Sequence, residues 1–312
     1  MEENNILKLI EDRFPQLSKS HRKMGEYILK HFDKAAFMTA AQLGKELGIS
    51  ESTVVRFAGI LGLKGGYPQF QKSLAACVQD RLSSRGSMGS TYYGRSQSEI
   101  LTAVMRSDVE KLQDTMERLD VSAFEMAVEI ILSAERVFVI GLRSCEPLAG
   151  FLRFYLNIIR RNVILLSTTS VTETFEQMMY INEKDCLIGI SFPRYSMRTL
   201  KAMEFANDRN ARVIALTDNA NSPMNLYSSC NLFARSDMVS IVDSLVAPLS
   251  VINALVVALT LKCPGEVRQN LKMLEQVWAN YQVYLNDEIN FIEDESILHN
   301  TSIYREKRKE DE

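Results

Sequence analysis

The chain has 312 residues, 46 % of them hydrophobic and 24 % charged, with a net charge of −3. That composition excludes disorder throughout and supplies apolar material for two ordinary domains. The slightly acidic balance excludes a wholly basic nucleic-acid coat protein, yet it conceals an asymmetry. Between Lys19 and Lys72 nine basic side chains face four acidic ones, a local excess of +5 on an otherwise acidic chain.

Helical periods fill the first 82 residues. Ser18 or Ser20 caps a helix through about Phe32, and Thr39 caps a second that ends at Gly48. Ser50 caps a third that ends at Gly62, and a fourth runs from Pro68 to Leu82. Serine and threonine accept hydrogen bonds from free first-turn N–H groups, and glycine supplies the left-handed terminal residue. The second and third of these helices have the helix-turn-helix layout, meeting across Gly48–Ile49–Ser50. Ala40, Leu43, Leu47, Ile49, Val54 and Val55 fix the crossing, while Ser52, Thr53 and Arg56 open the second helix on its polar face. Such a helix enters the major groove N-terminus first, where Arg56 offers a fork to guanine or phosphate. A three-helix packing module with a solvated charged face is the plainer alternative.

Ser83–Ser98, rich in glycine and serine, reads as a linker. Beyond it, two amphipathic helices cover 99–119 and 121–133. Short apolar runs then alternate with helical segments: RVFVIG, NVILLST, DCLIGIS, ARVIALT and CNLFAR. Four of the five lack alternation, as strands buried on both faces of a parallel sheet do. A doubly wound α/β domain with a five-stranded parallel sheet follows. Two long helices, 240–262 and 264–287, close the domain at about residue 288, and a charged tail occupies 289–312.

In such sheets ligands bind beyond the carboxyl ends of the strands. Here those loops carry Arg143, Ser144 and Cys145, then Ser167 and Thr168, then Ser191, Arg194, Tyr195 and Ser196. Hydroxyls, helix N-termini and arginines on one rim suit a phosphate dianion. Ordinary N-capping is the plainer reading of any single serine or threonine. Gly141 stands alone where a dinucleotide site needs a glycine fingerprint, so no cofactor is expected.

At this point the chain resembles the RpiR (MurR/RpiR) family of bacterial transcriptional regulators. These join an N-terminal helix-turn-helix domain to a C-terminal sugar-isomerase (SIS) domain. The stretch TAAQLGKELGISESTVVRFAGILGLKGGYPQFQKSL carries the resemblance at one end. VIGLRSC, GISFPRYSMRTLKAMEFANDRNARVIALTD and Ser222–Pro223 carry it at the other, and it covers about residues 5–262. It implies double-stranded operator DNA as partner, a phosphosugar effector, and a homodimer or tetramer. It places Ser52, Thr53 and Arg56 at the DNA, with Lys64 and Tyr67 near its backbone, and the cap residues Thr39 and Ser50 at the two helix starts are candidates beside them. It also implies phosphosugar binding through the loops after the first and third strands. The usual serine of the first loop falls on Cys145, beside Ser144. The usual Ser-x-Ser-Gly-x-Thr falls on Ser191–Ser196, where Pro193 and Arg194 replace the inner serine and glycine.

Catalysis finds little support in the residues. Isomerases of this fold need a positioned acid and base, commonly Glu with His. His21, His31 and His299 all lie outside the alternating region, and Glu173 and Glu176 read as first-turn acids. Cys145 has no histidine near it in sequence and reads as a small packed residue. The five scattered cysteines make neither a CxxC pair nor a disulfide framework, and no metal-ligand cluster is present. Leu245–Leu261 is too short and too interrupted for a membrane span. With no signal-peptide core at its N-terminus, the chain is expected in the cytoplasm. The reading is thus a non-enzymatic regulator. The alternatives are a phosphosugar isomerase, and a regulator whose SIS domain is a ligand-free dimerisation scaffold.

Overall fold

The computed structural model describes residues 6–85, 94–168, 170–239 and 242–283. The linker reading at 86–93 and the charged tail at 289–312 lie outside the described residues.

Five helices form the N-terminal unit: α1 (Ile6–Arg13), α2 (Lys19–Ala35), α3 (Ala40–Leu47), α4 (Glu51–Ile60) and α5 (Gly66–Arg85). Ser18 caps α2, accepting from the His21 amide, and Thr39 with Gln42 forms a reciprocal capping box on α3. Ser50 caps α4. Gly48 ends α3 at φ +64, where a side chain is disfavoured. One core joins all five helices and includes Ile10, Met24, Leu43, Val54, Phe57, Phe70 and Leu74. Two features differ from the sequence expectation. Helix α1 precedes Ser18 and buries Ile6 and Ile10, an i,i+4 pair in a segment for which the sequence predicts no named helix. Helix α5 continues through Ser83–Arg85, which the linker reading had excluded from helix.

The C-terminal unit begins with α6 (Gln97–Glu117), capped by Ser96 and Glu99, and α7 (Val121–Ser133), capped by Asp120. Five parallel strands follow: β1 (Val137–Gly141), β2 (Val163–Leu165), β3 (Cys186–Ile190), β4 (Arg212–Thr217) and β5 (Cys230–Phe233). Their order is β2-β1-β3-β4-β5, a doubly wound sheet in which the strand order, not the chain direction, reverses between β1 and β3. Between the strands lie α8 (Glu146–Ile159), α9 (Val171–Gln177) and α10 (Met197–Asp208). The chain ends its described part in α11 (Val246–Lys262) and α12 (Pro264–Asn280).

Alternate residues of each strand serve opposite layers. Val137 and Val139 pack with α7, α8 and α11 on one face. Phe138 and Ile140 pack with α10 and Met224 on the other. Both faces are therefore apolar, which is why the strands read as continuous hydrophobic runs. A two-stranded hairpin, β6 (Met238–Val239) with β7 (Val242–Asp243), stands where the sequence reading began a helix at Ser240. Ser236 Oγ donates to the Ser244 carbonyl at 2.8 Å, tying the base of that hairpin, so α11 starts only at Val246. No single helix among the described residues is long and apolar enough to cross a membrane.

Candidate functional sites

The outer face of α4 is built by periodicity. Val54, Phe57 and Ala58 turn into the core, leaving Ser52, Val55, Arg56, Gly59 and Ile60 exposed. The Arg56 guanidinium folds back on its own helix, donating to the Ser52 carbonyl at 3.1 Å and to Ser52 Oγ at 3.4 Å. Ser50 Oγ lies 2.8 Å from Thr53 Oγ1 and 3.0 Å from Ser52 Oγ. Val55 is 44 % exposed and so does not help fix the helix crossing; it joins the outer face beside Ser52 and Arg56.

Tyr67 requires a larger correction. It is buried, and its hydroxyl donates to the Met38 carbonyl at 2.9 Å, locking α5 against the α2–α3 connection. Burial pushes its hydroxyl pKa up, so the group is a neutral internal donor and does not reach a phosphate. Lys64 remains exposed. Thr39 is spent on its capping box.

A group absent from the sequence reading lies beside Arg56. Ser18, Ser20 and His21, at the N-terminus of α2, line with Thr53, Arg56, Gly59 and Ile60 an open cleft of about 560 Å3. His21 Nε2 lies 3.3 Å from the Thr53 carbonyl, and its ring is 5.7 Å from that of Phe57. Two helix starts, α2 and α4, thus share one exposed edge. The cap at Ser18 was a legible signal; the proximity to Arg56 was not.

The second site lies at the switch point of the sheet. Arg143, Ser144, Cys145, Ser191, Arg194 and Ser196 line one cleft together with Leu142, Phe192, Pro193 and Asp243. Arg143 (φ +59) and Arg194 (φ +70) both hold left-handed backbone, one on each side of that cleft. Non-glycine residues are disfavoured there, and such strain concentrates at functional sites. Ser191 Oγ accepts from the Ser196 amide at 3.1 Å, and Ser196 Oγ accepts from the Thr199 amide at 3.3 Å, so the loop folds on its own hydroxyls. Ser144 Oγ donates to Asp243 at 2.8 Å.

Three predicted ligand residues fall elsewhere. Ser167 is exposed and outside the cleft. Thr168 bonds to Glu173, and its carbonyl accepts from Arg198 Nη1 at 2.8 Å. Tyr195 is buried; its hydroxyl donates to Asp218 at 2.8 Å. Burial raises the Asp218 carboxyl pKa, against the Tyr195 bond, which lowers it. Cys145 lines the cleft but is buried, and loss of hydration pushes its thiol up to about 11. It is therefore protonated near neutrality and a poor nucleophile. Among the described residues no cluster of His, Cys, Asp and Glu could hold a metal ion.

The two units that carry these sites are in physical contact. The Tyr195 ring meets Phe37 edge-on at 6.0 Å, Phe37 lying in the turn that leads into α3. Gln42 Nε2, from the α3 capping box, donates to the Tyr227 hydroxyl at 3.3 Å. Leu226 packs against both the N-terminal core and the adjoining layer of the sheet.

Comparison with known proteins agrees with this division. Residues 4–81 match the helix-turn-helix domain of the rpiR family, and residues 130–258 match the SIS domain. The transcriptional regulator HexR of Escherichia coli K12 is 27 % identical over 87 % of this chain and 93 % of its own. HexR of Pseudomonas aeruginosa is 24 % identical over 87 % and 95 %. Among solved structures, the sugar isomerase domain of an RpiR transcription factor from Sphaerobacter thermophilus has a TM-score of 0.55. It is 28 % identical and covers 57 % of this chain and 99 % of that one. Vibrio vulnificus NanR, solved with ManNAc-6P, has a TM-score of 0.61 at 23 % identity, covering 89 % and 99 %. The chain thus joins an rpiR-family helix-turn-helix domain to a SIS domain, the arrangement of the RpiR family of HTH-type transcriptional regulators.

Proposed function

We propose that this protein binds operator DNA through the outer face of α4 and senses a phosphorylated sugar at the cleft between β1 and β3. Ser52, Val55 and Arg56 face the major groove, Val55 meeting a thymine methyl, while Lys64 and the α2 start with Ser18 and Ser20 take backbone phosphates. Arg143, Ser144, Ser191, Arg194 and Ser196 hold the phosphate. The precedent of NanR with ManNAc-6P supports that ligand class.

One observation carries the coupling of the two activities. Tyr195 sits in the ligand loop between Arg194 and Ser196, and its ring rests on Phe37 of the DNA-binding unit. A ligand that reshapes this loop therefore acts on the approach to α3 without an intermediary. Moving such an equilibrium from nearly off to nearly on takes about 5.5 kcal/mol of differential binding, which two sites in a dimer share.

A dimer also matches the surface. Leu112, Met116, Leu119, Val121, Phe124 and Val251 line an almost wholly apolar groove of about 440 Å3 between α6, α7 and α11. A second copy seated there would present two α4 helices to two half-sites. Catalysis is disfavoured by the protonated Cys145 thiol and by the distance in sequence of every histidine from the sheet. The cytoplasm is the compartment where such a regulator meets DNA.

The deciding experiment is fluorescence anisotropy with DNA from upstream of the protein's own gene, at fixed salt, with and without a panel of phosphosugars. Selective binding that one sugar phosphate alters is the expected result. Selective binding that none alters favours the ligand-free scaffold. Aldose–ketose turnover by the purified protein would replace the regulator reading with an isomerase.

A further inference from the structure

The cleft at the switch point already contains an anion. Asp243, the last residue of β7, brings its carboxylate to Ser144, whose hydroxyl donates to Oδ2 at 2.8 Å. The room left beside Ser191, Arg194 and Asp243 is about 30 Å3. That is space for a small number of water molecules, in a cleft that opens to solvent. A hydroxyl carries one proton and serves one acceptor at a time, so Ser144 cannot donate to Asp243 and to a phosphate together. Two anions on the same serine also repel.

We propose that Asp243 is an intrachain occupant of the phosphate site, exchanged for the phosphate of the effector when it binds. This rests on the phosphosugar reading of the cleft. The carboxylate supplies what a phosphate oxygen would: negative charge and a hydrogen-bond acceptor facing Ser144, with Arg143 and Arg194 on the surrounding rim. The hairpin that carries it is built to give way. Its strands have two residues each, paired only as Met238 with Asp243 and Val239 with Val242, and Val242 is 63 % exposed. A two-stranded ribbon of this length has almost no stability of its own.

The exchange has a route outward. The next residue, Ser244, is buried and donates through Oγ to Asp108 Oδ1 on α6 at 2.6 Å. Asp108 in turn lies 3.8 Å from the ammonium of buried Lys111. Helix α6 is the first described helix after the DNA-binding unit. Displacing Asp243 therefore pulls on the residue adjoining the α6 anchor. The site thus reports occupancy through the hairpin as well as through Tyr195.

The test is calorimetric titration of inorganic phosphate and glucose 6-phosphate into the full chain and into Asp243→Ala and Asp243→Asn. Both variants lose the competing charge. Asp243→Ala should bind inorganic phosphate at least about tenfold more tightly than the native chain, the scale of a hydrogen bond to a charged group. Asp243→Asn, whose amide oxygen still accepts from Ser144, should fall between. Adding Ser144→Ala to Asp243→Ala should remove most of the gain. Circular dichroism melts of both variants establish that the fold is kept, and Asp243→Asn carries the test if the alanine variant unfolds. Phosphate affinities equal in the native chain and the folded variants, or undetectable in all, overturn the exchange. Equal glucose 6-phosphate affinities overturn it while leaving the phosphosugar reading intact. If no phosphosugar binds any of these proteins or alters operator binding, the phosphosugar reading fails with it.

Discussion

The two halves of this chain solve different problems with different kinds of contact. The proposed DNA-binding face is local. Ser50, Ser52, Thr53 and Arg56 belong to one helix and its cap, and the turn that aims them is set by Gly48 a few residues away. The proposed ligand cleft is not local. Ser144 and Asp243 are 99 positions apart, and Ser191–Ser196 reaches them only because β3 pairs with β1 in the sheet. Helix capping and periodicity, which act within a turn or two, therefore specify the first site almost completely. The second depends on strand order, on crossovers and on a hairpin with no strong local signal.

The largest effect that separates the halves comes from the core of the DNA-binding unit. Phe57 is fully buried, edge-on to Phe70 at 5.8 Å. Phe57→Ala should cost about 3–5 kcal/mol. Each unit has its own core, so scanning calorimetry should show the transition of the helical unit lowered and that of the sheet unit unchanged. Ligand binding should survive while operator binding is lost. A single transition that moves as a whole would show that the halves unfold as one cooperative unit.

The same contrast explains what could be seen in the sequence. The caps at Thr39 and Ser50, the turn at Gly48 and all five parallel strands were legible because each follows from side-chain chemistry within its own segment. Helix α1 escaped because Ile6 and Ile10 are a minimal apolar stripe in an acidic context. Tyr67 was read as a site residue through the family resemblance, and Tyr195 through its place in the polar loop after the third strand. Their burial is decided by tertiary neighbours, Met38 for one and Asp218 with Phe37 for the other. Asp243 was unreadable, since Val242 before it and Leu245–Val246 after it suit a strand or a buried helix equally.

Two glycines put the halves on one scale. A Cβ at Gly44 would lie 2.8 Å from the Ile49 carbonyl oxygen, and one at Gly141 would lie 2.6 Å from the Cys145 carbonyl oxygen. Both clashes are with backbone, so each alanine should cost about 1–3 kcal/mol through displaced chain. Gly44→Ala shifts the start of α4 and should weaken operator binding. Gly141→Ala shifts the Arg143–Cys145 turn and should weaken phosphosugar binding. Gly189→Ala meets only the flexible Met203 side chain and Met224, so its melting temperature should fall less than that of Gly141→Ala. Equal losses at positions 141 and 189 would show that the first turn yields more easily than its backbone contacts imply.

Arg56→Ala tests the exposed face without touching the core. Its guanidinium bonds only within its own helix among the described residues, so stability should change little. Operator affinity should fall by about 1–3 kcal/mol, roughly 5- to 150-fold, if it reads a base. A uniform loss across DNA sequences, with a salt slope lower by about 1, would instead make it a phosphate contact. Unchanged affinity would remove α4 from the interface.

The smallest change addresses the junction itself. Tyr227 accepts from Gln42 at 3.3 Å and donates to Glu204 at 3.4 Å, so its hydroxyl joins the capping box of α3 to α10 of the sheet unit. Tyr227→Phe keeps the ring in its pocket and deletes only that link, at a cost of about 0.5–1.5 kcal/mol. Thr39 retains its own bonds to Gln42, so the α3 cap and basal operator affinity should persist. What should shrink is the ratio of operator affinities with and without effector, because the helix that starts the DNA-binding motif no longer feels the sheet unit through this bond. A modest drop in melting temperature with an unaltered ratio would assign Tyr227 a purely structural part and leave the Tyr195–Phe37 contact and the Ser244–Asp108 bond as the routes between the halves.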